Sequence, residues 1–176
     1  MANSVNLDNL FSKCMNDLTT EVLTATTVAS YTTSPFAIYC NKFVSKHEQD
    51  EVTEYLRLLS QRGNEHESQT VQEKYPEMAE IQYSESEEGF KLTLDSMISG
   101  TNVLHGMPIY FLPEGIYGKA DIIERSNTNN SIFGNYHYTI KEVKLAKNIQ
   151  ETHLIQGAFY NYLLGKIQNF VGGLII

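Results

Sequence analysis

Three polar signals between Gly115 and Tyr160 carry residue types suited to hydrolysis. Asp121 comes first, Glu142-Val143-Lys144 follows about twenty residues on, and Gln156 and Tyr160 come last. Tyr138 to Leu145 is rich in β-branched, aromatic and aliphatic residues and has the length of a strand. Side chains two apart on a strand point the same way, so Tyr138, Ile140, Glu142 and Lys144 share a face. That face is apolar at its start and charged at its end, as for a strand leaving a core and entering a cleft. A carboxylate beside an ammonium suits a hard, oxygen-ligated cation such as Mg²⁺ or Mn²⁺, with a basic group near an attacking water. The Val143 carbonyl offers a further oxygen.

The elements around these residues must bring them together. Ile116 to Arg125 reads as a second strand, and the turn-rich run Ser126 to Asn135 connects it to the first. Neighbouring antiparallel strands lie about 4.8 Å apart, close enough for Asp121 and Glu142 to share one cation. Gly118 and Ala120 leave the approach to Asp121 unhindered. A helix is expected over roughly Asn148 to Ile167. Leu154, Ile155, Ala158, Phe159, Tyr162 and Leu163 form its expected apolar stripe, with His153, Gln156 and Tyr160 on an adjoining polar one.

This order of motifs resembles the PD-(D/E)XK nuclease superfamily, and within it the RecB-like branch, which includes the CRISPR-associated exonucleases. Upstream, Arg62-Gly63-Asn64-Glu65-His66-Glu67 is similar to that branch's RG-x-x-HE motif. The resemblance covers about Ser34 to Ile176. It implies an α/β, mixed α+β fold with a restriction-endonuclease-like core: a central mixed sheet containing an antiparallel meander, flanked by helices. It implies catalytic roles for Asp121, Glu142, Lys144, Gln156 and Tyr160. His66, Asp121, Glu142 and the Val143 carbonyl would hold Mg²⁺ or Mn²⁺, and Lys119, Lys147 and His153 would meet the substrate. The implied activity is hydrolysis of DNA, as single strands or duplex ends, in repair, recombination or defence, with a helicase or repair factor as an implied partner. The alternative is a weak or inactive nuclease-fold module that binds nucleic acid or a protein.

At 176 residues the chain suits a single domain, with residues 1–33 as an N-terminal helical extension and 34–176 as the core. It ends inside an apolar run, VGGLII, where relatives continue, so a trimmed chain or a minimal family member is expected. No apolar run approaches the length of a membrane span, and the N-terminus lacks a basic start and a hydrophobic block. An intracellular, cytoplasmic protein is therefore expected. Cys14 and Cys40 are the only cysteines, too few for the four-cysteine iron–sulfur cluster of many relatives, so no such cluster is expected.

The net charge of −8 excludes a strongly basic, stand-alone nucleic-acid binder. Its distribution is uneven. Tyr117 to Lys166 carries six basic and four acidic residues, net +2, against seven and seventeen elsewhere, net −10.

Elsewhere the pattern predicts a helix over Ser4 to Leu18, capped by Ser4, and a loop or short strand over the Thr-rich run Thr19 to Thr33. Ser34-Pro35 reads as a helix start. Gln49 to Gln61 is expected to bury Val52, Tyr55, Leu56, Leu58 and Leu59, and the helix to continue over Asn64 to Lys74 with Glu65 and Glu67 as surface charges. Lys91 to Ser99 reads as a helix. Val103 to Leu112 reads as a strand broken at Gly106 and Pro108, with His105 structural, and Phe170 to Ile176 as a last strand.

Overall fold

A computed structural model describes residues 5–16, 21–78 and 81–172. The fold is built on one long hairpin with a break in its middle. Its outward arm is β1 (Val103–His105) and β2 (Pro108–Phe111), and its return arm is β3 (Ile116–Lys119) and β4 (Ile122–Ser126). The turn follows from Leu112-Pro113-Glu114 and Gly115, whose φ of 62° favours a residue without a Cβ. β2 pairs with β3 and β1 with β4, both antiparallel and in one continuous register, so Gly106 stands opposite Asp121. The Gly106 N–H donates to the Asp121 carbonyl at 2.9 Å and carries the ladder across the break. β5 (His137–Lys141) joins β4 antiparallel.

The architecture is mixed α+β, with two small antiparallel sheets ordered β1-β4-β5 and β2-β3. This corrects the expectation of one central mixed sheet. The antiparallel meander is present but is divided at Gly106-Met107 and Ala120-Asp121. The parallel pairing among the described residues is the isolated bridge between Leu23 and Ile116.

Among the described residues there are six α-helices: α1 (Leu7–Met15), α2 (Ala25–Thr33), α3 (Pro35–Phe43), α4 (Glu54–Lys74), α5 (Ser86–Ile98) and α6 (Glu151–Gln168). The core lies where α1, α5 and α6 meet the strands. Phe90, Leu94, Met97, Ile109, Ile123, Tyr138, Ile140 and Leu164 are all fully buried there. Each contributes roughly 1.5–3 kcal/mol by leaving water. Leu10 and Cys14 of α1 belong to this cluster, so α1 is part of the core rather than an extension. Burial pushes the Cys14 thiol up to about 11, as for an inert core residue. Gln168 fastens α6 to β5: its amide accepts from the Tyr138 N–H at 2.8 Å and donates to the Tyr138 carbonyl at 3.0 Å.

Several expectations change. Ser4 lies outside the described residues; Asn6 caps α1 by accepting from the Asn9 N–H at 2.9 Å. Residues 17–20 also lie outside them. The Thr-rich run that follows is a helix, because Thr24 caps it and Thr32 donates back to the Ala29 carbonyl at 2.7 Å. Ser34-Pro35 starts α3 as expected. α4 runs through Gly63 unbroken, and the face expected to be buried is exposed: Tyr55, Leu56, Leu58 and Leu59 all face solvent. The expected last strand falls partly on residues 173–176, outside the described residues; residues 170–172 have no strand pairing. No helix among the described residues is long and apolar enough to cross a membrane.

Candidate active site

The break in the hairpin is where the candidate site forms. Ala120 is fully buried, and Asp121 occupies the gap between β3 and β4. β5 stops at Lys141, so the expected strand to Leu145 is shorter than its pattern. The backbone turns off there because its next N–H has a different acceptor: Val143 N–H donates to Asp121 Oδ2 at 2.7 Å. Glu142 accepts a long hydrogen bond from the Asp121 N–H, 3.4 Å to Oε1. Lys144 Nζ donates to Glu142 Oε2 at 2.9 Å. The Glu142 side chain is only 2% exposed and that of Lys144 26%, so this pair is shielded from solvent on the carboxylate side. Asp121, Glu142 and Lys144 thus meet at one point, on two neighbouring strand ends.

Two acids this close, in partial burial, resist being charged together. Burial first, and the Glu142 carboxylate second, push the Asp121 carboxyl up to about 7. Glu67 adds a smaller push in the same direction, while the Val143 N–H and Lys144 oppose it. Tyr160 stands against the same joint. Its ring packs on Gly118, where an added Cβ would come 2.3 Å from Tyr160 Cε1. Burial, then the Glu142 and Asp121 charges, raise the Tyr160 hydroxyl pKa, which keeps it a proton donor.

A cavity of about 380 Å³ opens beside Asp121, lined by Asn64, Glu67 and Ser68 of α4 and by Gly106, Lys119 and Ala120. The ionisable α4 side chain that lines it is that of Glu67. His66 is half-buried, as Glu67 is, but does not line this cavity. Glu67 is itself held, accepting from His105 Nε2 at 2.8 Å. The sequence read Glu67 as a surface charge and His105 as structural; the i, i+3, i+4, i+7 spacing from Asn64 was the signal that could have placed Glu67 at the cavity.

Other expected residues are placed as follows. Lys119 is exposed at the cavity mouth. Lys147 is exposed in the loop before α6 and does not line that cavity. His153 is engaged elsewhere: its Nδ1 accepts from the Gln150 N–H at 3.3 Å, closing the first turn of α6. Gln156 is partly buried and has no hydrogen-bond partner among the described side chains. The apolar stripe of α6 is corrected too. Leu154, Ala158 and Tyr162 face outward, and the buried side is Gly157, Asn161, Leu164, Gly165 and Gln168 together with Leu163 and Ile167.

Among the described residues no three His, Cys, Asp or Glu side chains already stand in the geometry of a metal centre. The donor types nonetheless fit a hard cation. Asp121 and Glu142 bring carboxylate oxygens together, and the Asp121 carboxyl, held up first by burial and second by the Glu142 charge, would be lowered again by a bound divalent ion. No family model, curated protein or solved structure matches the chain.

Proposed function

We infer that the chain is a divalent-metal-dependent nuclease that hydrolyses DNA phosphodiester bonds, with a RecB-like PD-(D/E)XK core. The observation that carries this reading is the meeting of Asp121, Glu142 and Lys144 at the broken hairpin, with 2.9 Å between Lys144 Nζ and Glu142 Oε2. Asp121, Glu142 and the Val143 carbonyl would hold Mg²⁺ or Mn²⁺, with Glu67, which lines the Asp121 cavity, as a further α4 donor beside the expected His66. The ion would supply Lewis acidity at the phosphate and a lowered pKa for water. Lys144 supplies positive charge where negative charge develops on the phosphate, and can orient the attacking water. That water forms a new O–P bond while the bond to the 3′ oxygen breaks. By resemblance to the family the products carry a 5′-phosphate and a 3′-hydroxyl. Tyr160, pressed on Gly118, fixes the wall of the site. A role in repair, recombination or defence inside the cell, beside a helicase or repair factor, accords with the same reading.

A second reading, a module that binds a protein partner, is favoured by the exposed apolar side chains of α3 and α4. One pair of measurements separates the two. Mg²⁺ or Mn²⁺ is expected to raise the melting temperature of the wild type and not that of Asp121→Ala. End-labelled linear and circular DNA are then digested with metal, and Lys144→Ala is expected to be slower by about 10²-fold or more. Equal rates for Lys144→Ala and wild type, or no digestion by either, would refute the nuclease reading.

A further inference from the structure

A second cavity adjoins the one at Asp121. It also measures about 380 Å³, and Tyr83, Gln82, Ile81 and His105 help to line it. Gly106 and Lys119 line both cavities. Lys119 crosses Gly106 closely: a Cβ there would stand 3.2 Å from Lys119 Cε. The missing side chain lets the amine lie between the two spaces. The Tyr83 ring is fixed at both ends. Its hydroxyl donates to the Gly106 carbonyl at 3.2 Å. Its ring carbons rest where Gly89 has no side chain, since a Cβ there would come 2.7 Å from Tyr83 Cδ2. Lys119 Nζ stands 6.0 Å from the ring centroid. An anion at Lys119 would therefore have a rigid aromatic surface within the reach of one nucleotide.

We propose that this second cavity is a nucleobase pocket: an unpaired base stacks on Tyr83 while its own phosphate lies at Lys119, at the mouth of the Asp121 cavity. The proposal rests on the nuclease reading and narrows its substrate to single-stranded DNA. A base in a duplex has both faces stacked and its edge paired, so it enters a one-base pocket only after unstacking, at a cost of a few kcal/mol. A free strand escapes that cost. Gln82, at the exposed rim, and His105 offer polar atoms to a base edge without selecting one base strictly. The fixed ring requires little ordering when a base arrives.

The test reads binding apart from cleavage. A single-stranded oligodeoxynucleotide carrying 2-aminopurine is titrated with the full chain in EDTA. Stacking is expected to quench the fluorescence. Tyr83→Phe should keep both quench and affinity, whereas Tyr83→Ala should weaken binding by roughly tenfold and remove the quench. Gln82→Trp, placed on the rim to fill the pocket from an exposed position, should give the same loss should Tyr83→Ala fail to fold. A duplex of the same sequence should bind more weakly to the wild type. Unchanged affinity and quench in folded Tyr83→Ala or Gln82→Trp would overturn the pocket. Should the wild type still digest DNA in Mg²⁺ or Mn²⁺, the nuclease reading survives that result. A Tyr83-dependent quench without digestion in either metal would keep the pocket and remove the nuclease.

Discussion

The broken hairpin and the arm formed by α3 and the first half of α4 contain similar apolar residues and use them in opposite ways. At the hairpin, Ile123 and Ile140 are fully buried beside two acids and a lysine. On the arm, Phe36 is 74% exposed and Tyr55 71%. Phe36, Tyr39 and Phe43 touch mainly one another, with ring centroids 6.4 and 4.9 Å apart. Apolar side chains stabilise a fold only by the area they remove from water. The hairpin side chains do so and hold charged groups in a strained arrangement. The arm side chains remain almost as wet as in an unfolded chain, so folding gains little from them. Stability and the candidate chemistry thus share one region, and the arm is free to serve something else.

The largest expected effect comes from relieving the strained side of this contrast. The Asp121 carboxyl titrates at about 7 in the fold, above its ordinary value of 3.8. The proton therefore favours the folded state. That stabilisation is complete below about pH 4 and is lost as pH rises through 7. The metal-free wild type should lose stability over this window, by up to a few kcal/mol from this group. Asp121→Asn should remove that slope, melting above the wild type at pH 8 and level with it near pH 4. Melting curves across this range check it. Parallel curves would mean that neither burial nor the Glu142 charge raises the Asp121 carboxyl and that the hairpin carries no stored strain.

A smaller effect tests whether packing and site are truly one region. Gly118→Ala places a methyl group where Tyr160 Cε1 now lies, 2.3 Å away. Tyr160 is partly buried and must move or the strand must bend. Overpacking of this kind costs about 1–3 kcal/mol. Any DNA hydrolysis should fall along with the melting temperature, and Tyr160→Ala in the same chain should recover much of the stability by making room. Full activity and an unchanged melting temperature in Gly118→Ala would show that the wall at Tyr160 is loose.

The same contrast explains what could be read from sequence. The hairpin was legible because its signals are local: Pro113-Glu114-Gly115 forces the turn, and the β-branched and aromatic content around β4 and β5 marks the strands. Asp121 and Glu142 follow from that register. The break at Gly106 and Asp121 was half legible, since Gly106 and Pro108 announced it on one arm only. The arm was misread because apolar residues at helical spacing look alike whether or not another element covers them. Glu67, which lines the Asp121 cavity and is held by His105, was for the same reason read as a surface charge. α6 failed for another reason. It is apolar on most sides, and the markers of its buried face are small or polar. Gly165 lets Val171 come close, while Asn161 donates to the Gly172 carbonyl at 2.7 Å and Gln168 completes β5. A buried polar residue with partners is indistinguishable in sequence from a solvated one.

The smallest expected effect is the sharpest check on the arm. Leu59 is 46% exposed on α4. Leu59→Ser removes apolar area that folding covers only in part and exchanges a strong helix former for a weaker one. The helix term is about 0.5 kcal/mol, and exposed substitutions of this kind rarely exceed it. Chemical denaturation should therefore give a midpoint within error of the wild type, with the same slope, because the surface exposed on unfolding hardly changes. DNA hydrolysis should also be untouched, since Leu59 lies two turns of helix before Glu67 and points away from the cavity. A loss of 2 kcal/mol or more, the size of a core truncation, would mean that α4 packs on its outer side in solution. The division between a buried, working hairpin and an uncovered arm would then fail at its weaker end.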